Sequence, residues 1–133
     1  MAKVLKDLKY TESHEWVKVE GGKARIGITD YAQHAMGDIV YVELPEEGAE
    51  FSTGSDLCVV ESVKGANDVY APVSGTVVEV NSGLEDSPEL LNEDAYANWI
   101  VVLEMSDTSE LDNLLDGEAY EKLCDSLETK EGA

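Results

Sequence analysis

Positive charge is what this chain has least of. Its 133 residues include 9 Lys and Arg against 29 Asp and Glu, a formal net charge of -20. Phosphate binding requires a basic face, so nucleic acid is excluded as a partner. Anionic membrane surfaces are disfavoured for the same reason. The charge predicts good solubility, favours a monomer, and suits partners whose docking sites are basic. A solvated surface with no recognition role explains the same number.

Cysteine is nearly as scarce. Cys58 and Cys124 lie far apart, with no CxxC spacing and no cluster of metal-type ligands, which leaves neither a disulfide framework nor a metal site to expect. Two buried or partly buried thiols fit a reducing compartment, and the cytoplasm fits best. No apolar run reaches the length of a membrane-spanning helix, and the N-terminus alternates charge with single apolar residues where a signal peptide would carry its apolar core. A phosphate-cradling glycine loop, a nucleophile elbow and a zinc signature are also missing, so an enzyme in its own right is not expected.

What is present is a succession of short apolar segments separated by turns, expected to form one domain over 1–133. Trp16 to Glu20 and Lys23 to Ile28 flank Gly21-Gly22 and read as a hairpin. Thr29-Asp30 opens and Gly37 closes a short helix over Tyr31 to Met36. Strands are expected over Ile39 to Leu44, Leu57 to Ser62, Asp68 to Ala71, Thr76 to Val80 and Trp99 to Glu104. Residues 81–98 read as loop, with one helical turn available at Ser87-Pro88. Asp107 and Glu110 resemble a capping box, and Tyr120, Leu123, Cys124 and Leu127 recur at helical spacing. The tail, 128–133, is expected to fray. Together these predict a mainly β sandwich or flattened barrel with a short internal helix and C-terminal helices.

Between Arg25 and Lys122, Lys64 is the one cation in a stretch that carries 22 Asp and Glu residues. A lysine that forms Schiff bases needs burial or neighbouring cations to depress its pKa. Glu61 and Asp68 favour the ammonium form instead, so a free-amine nucleophile is ruled against. From charge alone, an ordinary surface ion-pair partner is the stronger reading. The setting shifts the balance: Val63 and Val69 anchor strands on either side, and Gly65-Ala66-Asn67 supplies small turn residues. That holds a long side chain out on a tight turn, where another enzyme can acylate it. His14, beside Glu15, has no partner for an acid–base relay, and His34 is expected to face solvent. Glu43, Glu46, Glu47 and Glu50 lack calcium-loop spacing and read as a solvated face.

Val59-Val-Glu-Ser-Val-Lys64, followed by Asp68-Val-Tyr-Ala-Pro-Val-Ser-Gly75-Thr-Val-Val-Glu-Val-Asn81, closely resembles the lipoyl-attachment hairpin of the glycine cleavage system H-protein family. Tyr10-Thr-Glu-Ser-His-Glu-Trp16, Gly27-Ile-Thr-Asp-Tyr-Ala-Gln33, Gly37-Asp-Ile-Val-Tyr-Val-Glu-Leu-Pro45 and Asn92-Glu-Asp-Ala-Tyr with Trp99 extend the likeness over residues 8 to 125. The resemblance implies a lipoyl/biotinyl-type flattened β-barrel sandwich hybrid with lipoate in amide linkage to Lys64, as N6-lipoyllysine. It implies a non-catalytic shuttle. Glycine decarboxylase (the P-protein) loads the arm with an aminomethyl group, and the aminomethyltransferase (the T-protein) passes the one-carbon unit to tetrahydrofolate. Dihydrolipoamide dehydrogenase (the L-protein) then reoxidises the dithiol. By the same resemblance, Glu61 and Gly75 help the lipoylating enzymes recognise the hairpin, while Ser13, Glu15 and Asp68 line the cleft that shelters the loaded arm. Gly65 departs from the family's common alanine, and Ala95-Tyr-Ala-Asn-Trp99 lacks a glycine often seen before the tryptophan.

Two other swinging-arm domains rank lower, since lipoyl domains of 2-oxoacid dehydrogenases show Asp-Lys-Ala and biotinyl domains Met-Lys-Met where Val63-Lys64-Gly65 stands here. An H-like protein that relays lipoyl groups to 2-oxoacid dehydrogenases would look nearly identical in sequence. An acidic interaction module predicts an unmodified lysine.

Overall fold

Alternation along the strands sorts side chains to two faces, and two sheets bury the apolar faces against each other. The computed structural model describes residues 3–132, with side chains as far as 127. In β3 (Lys23–Ile28), Ala24, Ile26 and Ile28 point inward while Lys23 and Arg25 stay outside. Strands β1 (Lys9–Tyr10), β2 (Glu15–Glu20), β3, β9 (Val101–Met105), β8 (Gly75–Val80) and β5 (Glu50–Phe51) form one antiparallel sheet in that order. Strands β4 (Ile39–Glu43), β6 (Asp56–Ser62) and β7 (Gly65–Tyr70) form the second. Val17, Ile26, Val42, Val60, Val77 and Leu103 meet in the core between them.

A second, aromatic core lies under the C-terminal helix α4 (Gly117–Gly132). Tyr120 and Cys124 bury there against Leu8, Tyr10 and Trp16, and the Tyr10 and Tyr120 rings stack with centroids 4.4 Å apart. Asp116 caps α4, accepting from the Ala119 N–H at 2.8 Å. Helix α1 (Asp30–Met36) begins at Thr29, whose hydroxyl accepts from the Ala32 N–H, and ends at Gly37 with φ 78. Both ends match the capping signals in the sequence.

Several expectations need correction. β1 and β5 are two-residue strands, too short to leave a period in the sequence. β7 begins at Gly65, not Asp68, so the residues read as a turn are already paired strand. β9 begins at Val101, not Trp99. The stretch 81–98 holds two single-turn helices, α2 (Gly83–Asp86) and α3 (Leu90–Glu93), which bury Leu84 and Leu91. After Asp107 comes a 3-10 helix, Thr108–Asn113, in place of an α-helix. Asp107 does cap it, but Glu110 turns away to accept from the Ser74 N–H at 2.7 Å, so no reciprocal box forms. The expected frayed tail, 128–133, lies outside the residues whose side chains are described. Cys58 and Cys124 are both buried, as expected, and burial pushes the Cys58 thiol up to about 12.

Gly75 opens β8 between Phe51 of β5 and Met105 of β9. A Cβ there would press into the backbone carbonyl of Glu104, 3.0 Å from its carbon. Glycine is thus required by the close approach of two chains. Gly75→Ala should cost about 1–3 kcal/mol, as overpacking does. An unchanged midpoint in chemical denaturation would contradict this close-approach account.

Candidate functional site

Lys64 occupies the second position of a two-residue turn closed by the Ser62–Gly65 pair. Neither Val63 nor Lys64 adopts positive φ, so the left-handed backbone falls on Gly65, at φ 142. The Ser62 hydroxyl accepts from the Lys64 N–H at 3.2 Å and donates to the Gly65 carbonyl at 3.3 Å, which stiffens the turn from inside. The Val63 N–H donates to the Asp38 carbonyl at 3.0 Å, tying the turn to the corner between α1 and β4. Val69 is a buried anchor as expected. Val63 is not: it is 66% exposed.

That corner is itself clamped from across the molecule. Asn92, on α3, accepts from the Ile39 N–H at 2.8 Å and donates to the Gly37 carbonyl at 2.9 Å and Gln33 Oε1 at 3.0 Å. The Lys64 ammonium donates to the Ala35 carbonyl in the last turn of α1 at 3.3 Å, and makes no ion pair among the described residues. The surface ion-pair reading therefore loses its basis. An acylated nitrogen keeps one N–H for Ala35 and breaks no charge pair, so the lysine fits an amide-linked group.

Glu61 is exposed on the outer face of the small sheet, with Tyr41 and Ala66 directly across from it on either side. Gly75 lies elsewhere, beyond the end of β7 distal to Lys64. Ser13 and Glu15 come together in a cleft of about 450 Å³, walled on the other side by Tyr70, Ala71 and Pro72. Asp68 does not line it. Asp68 is exposed on β7 opposite Val59, between Lys64 and the cleft. Tyr70 follows Lys64 by six residues, roughly 20 Å along a strand.

Glu15 is the electrostatic centre of that cleft. Its carboxylate is only 1% exposed. One oxygen accepts from the Thr11 and Ser13 hydroxyls, each at 2.6 Å, and the other from the Tyr70 N–H at 3.3 Å. Desolvation raises its pKa above the ordinary value, and the hydrogen bonds only partly offset that. The turn that presents it depends on His14, which carries positive φ (74), stacks on Tyr31 and shares a 2.8 Å hydrogen bond with the Tyr120 hydroxyl. Burial lowers the His14 pKa. His14 is a structural link and has no catalytic neighbour among those contacts. His34 is exposed, as expected.

The glycine cleavage H-protein family model matches residues 8–127. The chain belongs to the glycine cleavage H-protein family. Members are non-catalytic lipoyl carriers that work with the other components of the glycine cleavage system. The chain is 59% identical over 122 residues to the glycine cleavage system H protein of Thermoanaerobacter sp. (strain X514), covering 92% of this chain and 97% of that one. It is 55% identical over 126 residues to the corresponding protein of Clostridium botulinum (strain Loch Maree / Type A3), covering 95% and 97%. The crystal structure of a glycine cleavage system H protein from Mycobacterium marinum superposes with a TM-score of 0.80 at 38% identity, covering 88% of this chain and 95% of that one. Among the described residues there is no helix long and apolar enough to cross a membrane and no cluster of groups suited to a metal ion.

Asn92, Thr11 and the Tyr70 N–H do work that no reading of the sequence assigned. Asn92 stood inside a family-like motif, but nothing local tells that its amide closes the corner beneath the lysine.

The sign of Glu15's pH dependence follows from its raised pKa. The folded state holds the proton more tightly than the unfolded chain, so this group's contribution declines as pH rises above the ordinary value of 4.5 through the folded one. Glu15→Gln should therefore gain stability over the wild type as pH rises from 4 towards 7, and the gap should close below pH 4. Paired denaturation curves across that range check it, and a gap that shrinks with rising pH would overturn the assignment.

Proposed function

We propose that Lys64 is the lysine through which this member of the family carries lipoate. The observation that carries the reading is the rigid two-residue turn, which presents an amine with no ion pair among the described residues. Attachment requires that amine, once it has lost a proton, to attack the carbonyl of an activated lipoyl group such as an acyl adenylate. The C–N amide bond forms, the bond to the activating group breaks with its electron pair, and a second proton leaves the nitrogen for solvent. Glu61 is exposed three residues earlier, which supports a part in recognition by the attaching enzyme. For Gly75 the close approach of Glu104 is a packing reason, and its part in recognition rests on the resemblance alone.

The bound lipoyl group supplies a disulfide that is reduced as it takes up an aminomethyl unit and is later reoxidised. What the chain itself adds is the cleft. The Glu15 carboxylate, held by the Thr11 and Ser13 hydroxyls in a partly desolvated wall, is suited to hold the protonated amine and exclude water from it. Asp68 lies along the path from Lys64 towards it. By this reading the partners are glycine decarboxylase, the aminomethyltransferase, dihydrolipoamide dehydrogenase and the lipoylating enzymes. The protein acts as a monomer in the cytoplasm.

Intact-protein and peptide mass spectrometry on material from the native host should show a lipoyl increment confined to Lys64. An unmodified Lys64, where other lipoyl proteins are modified, would sink the proposal. Glu15→Ala should speed loss of the one-carbon amine from the loaded carrier by roughly tenfold or more, the scale of a charge-assisted hydrogen bond. An unchanged rate would leave Glu15 a purely structural carboxylate.

A further inference from the structure

Six large apolar side chains stand exposed among the described residues: Val19, Val40, Tyr41, Val63, Tyr70 and Val78. Four of them belong to the small sheet or to its Lys64 turn. Val40 is 56% and Tyr41 45% exposed, although they are consecutive in β4 and a regular strand would turn one of them inward. The cause is a register shift between Ile39 and Tyr41 in the pairing with β6. A bulge of this kind re-aims side chains at a sheet edge. Here it buries Ile39 and Val42 while leaving Val40 and Tyr41 both in solvent.

The register then places Tyr41 beside Glu61, with Ala66 on the far side, in a row next to the Lys64 turn. The next row is Glu43, Val59 and Asp68. Val63, with its side chain in solvent, stands at the end of this face next to Lys64 itself. The result is an apolar strip set among carboxylates, on a chain whose surface is otherwise dominated by acids.

The geometry points to this outer face, centred on Tyr41 with Val40 and Val63, as the docking platform for the enzyme that acylates Lys64. The inference rests on Lys64 being the acylated residue. An enzyme that brings an activated carboxyl to Lys64 has to cover the turn, and the first surface its rim meets is this strip. The occupant it fits is an active-site mouth that is apolar at the centre and cationic at the edge, so that basic side chains meet Glu43, Glu61 and Asp68. Tyrosine is a favoured interface anchor because it covers a large area with few rotatable bonds.

The test uses the unmodified full chain as substrate for a lipoate-activating ligase supplied with lipoate and ATP, with acylation followed by mass. Tyr41→Ser should raise the KM for the carrier roughly tenfold, with kcat within about twofold of wild type. Val40→Ser should do so more weakly, and Tyr41→Phe should remain near wild type. Val78→Ser, on the larger sheet, should change nothing. Circular dichroism on each variant identifies any loss of folding, and Val40→Ser carries the test if Tyr41→Ser does not fold. An unchanged KM for folded Tyr41→Ser and Val40→Ser overturns the platform, as does an equal rise for Val78→Ser. It is overturned too if acylation is unaffected and only transfer from glycine decarboxylase weakens. Lys64→Arg separates the two claims: continued acylation of that variant would defeat the Lys64 assignment, whereas its loss alongside a normal Tyr41→Ser would defeat the platform alone.

Discussion

The apolar face of the three-stranded sheet has to be buried against the six-stranded one, and that requirement sets the geometry at Lys64. Val42 and Val60 enter the core as a cross-strand pair. Once they do, the period of two sends Glu61 outward and Ser62 inward, one residue before the turn. Ser62 is then available beneath the turn to bond the Lys64 N–H and the Gly65 carbonyl. A one-residue slip would reverse each of these placements at once. The lysine's presentation is thus a consequence of core packing, carried to the surface by strand parity.

The turn that carries Lys64 is braced by a distant segment. The Asn92 amide closes the loop between α1 and β4, Asp38 in that loop holds Val63, and the last turn of α1 offers Ala35 to the lysine. Three hydrogen bonds from a single-turn helix brace the corner against which the hairpin rests. The C-terminal helix acts similarly on the cleft: Tyr120 links His14 to Thr29, and the strained turn at His14 sets Glu15 into the wall.

The carboxylates that dominate the composition divide by burial. Glu43, Glu46, Glu47 and Glu50 are exposed and keep the surface solvated. Glu110 and Asp107 stabilise turns, their pKa values lowered by the hydrogen bonds they accept. Glu15 alone among the described carboxylates is fully buried, and desolvation there gives one negative charge a much stronger reach than any on the surface.

The sequence by itself determined the strands with a clear period of two, the capped helix α1 and the lysine on display. Those features are local: each is written in consecutive residues. Only the tertiary structure decided what lies across from what. The two-residue strands, the bulge that exposes Val40 with Tyr41, Asn92's clamp and the separation of Gly75 from Lys64 all depend on pairings between segments far apart in the chain. Periodicity along one segment carries no information about the register against its neighbour. Burial of Glu15 is the plainest case, since it depends on Thr11, Ser13 and, from a separate segment, Tyr70 closing around the carboxylate.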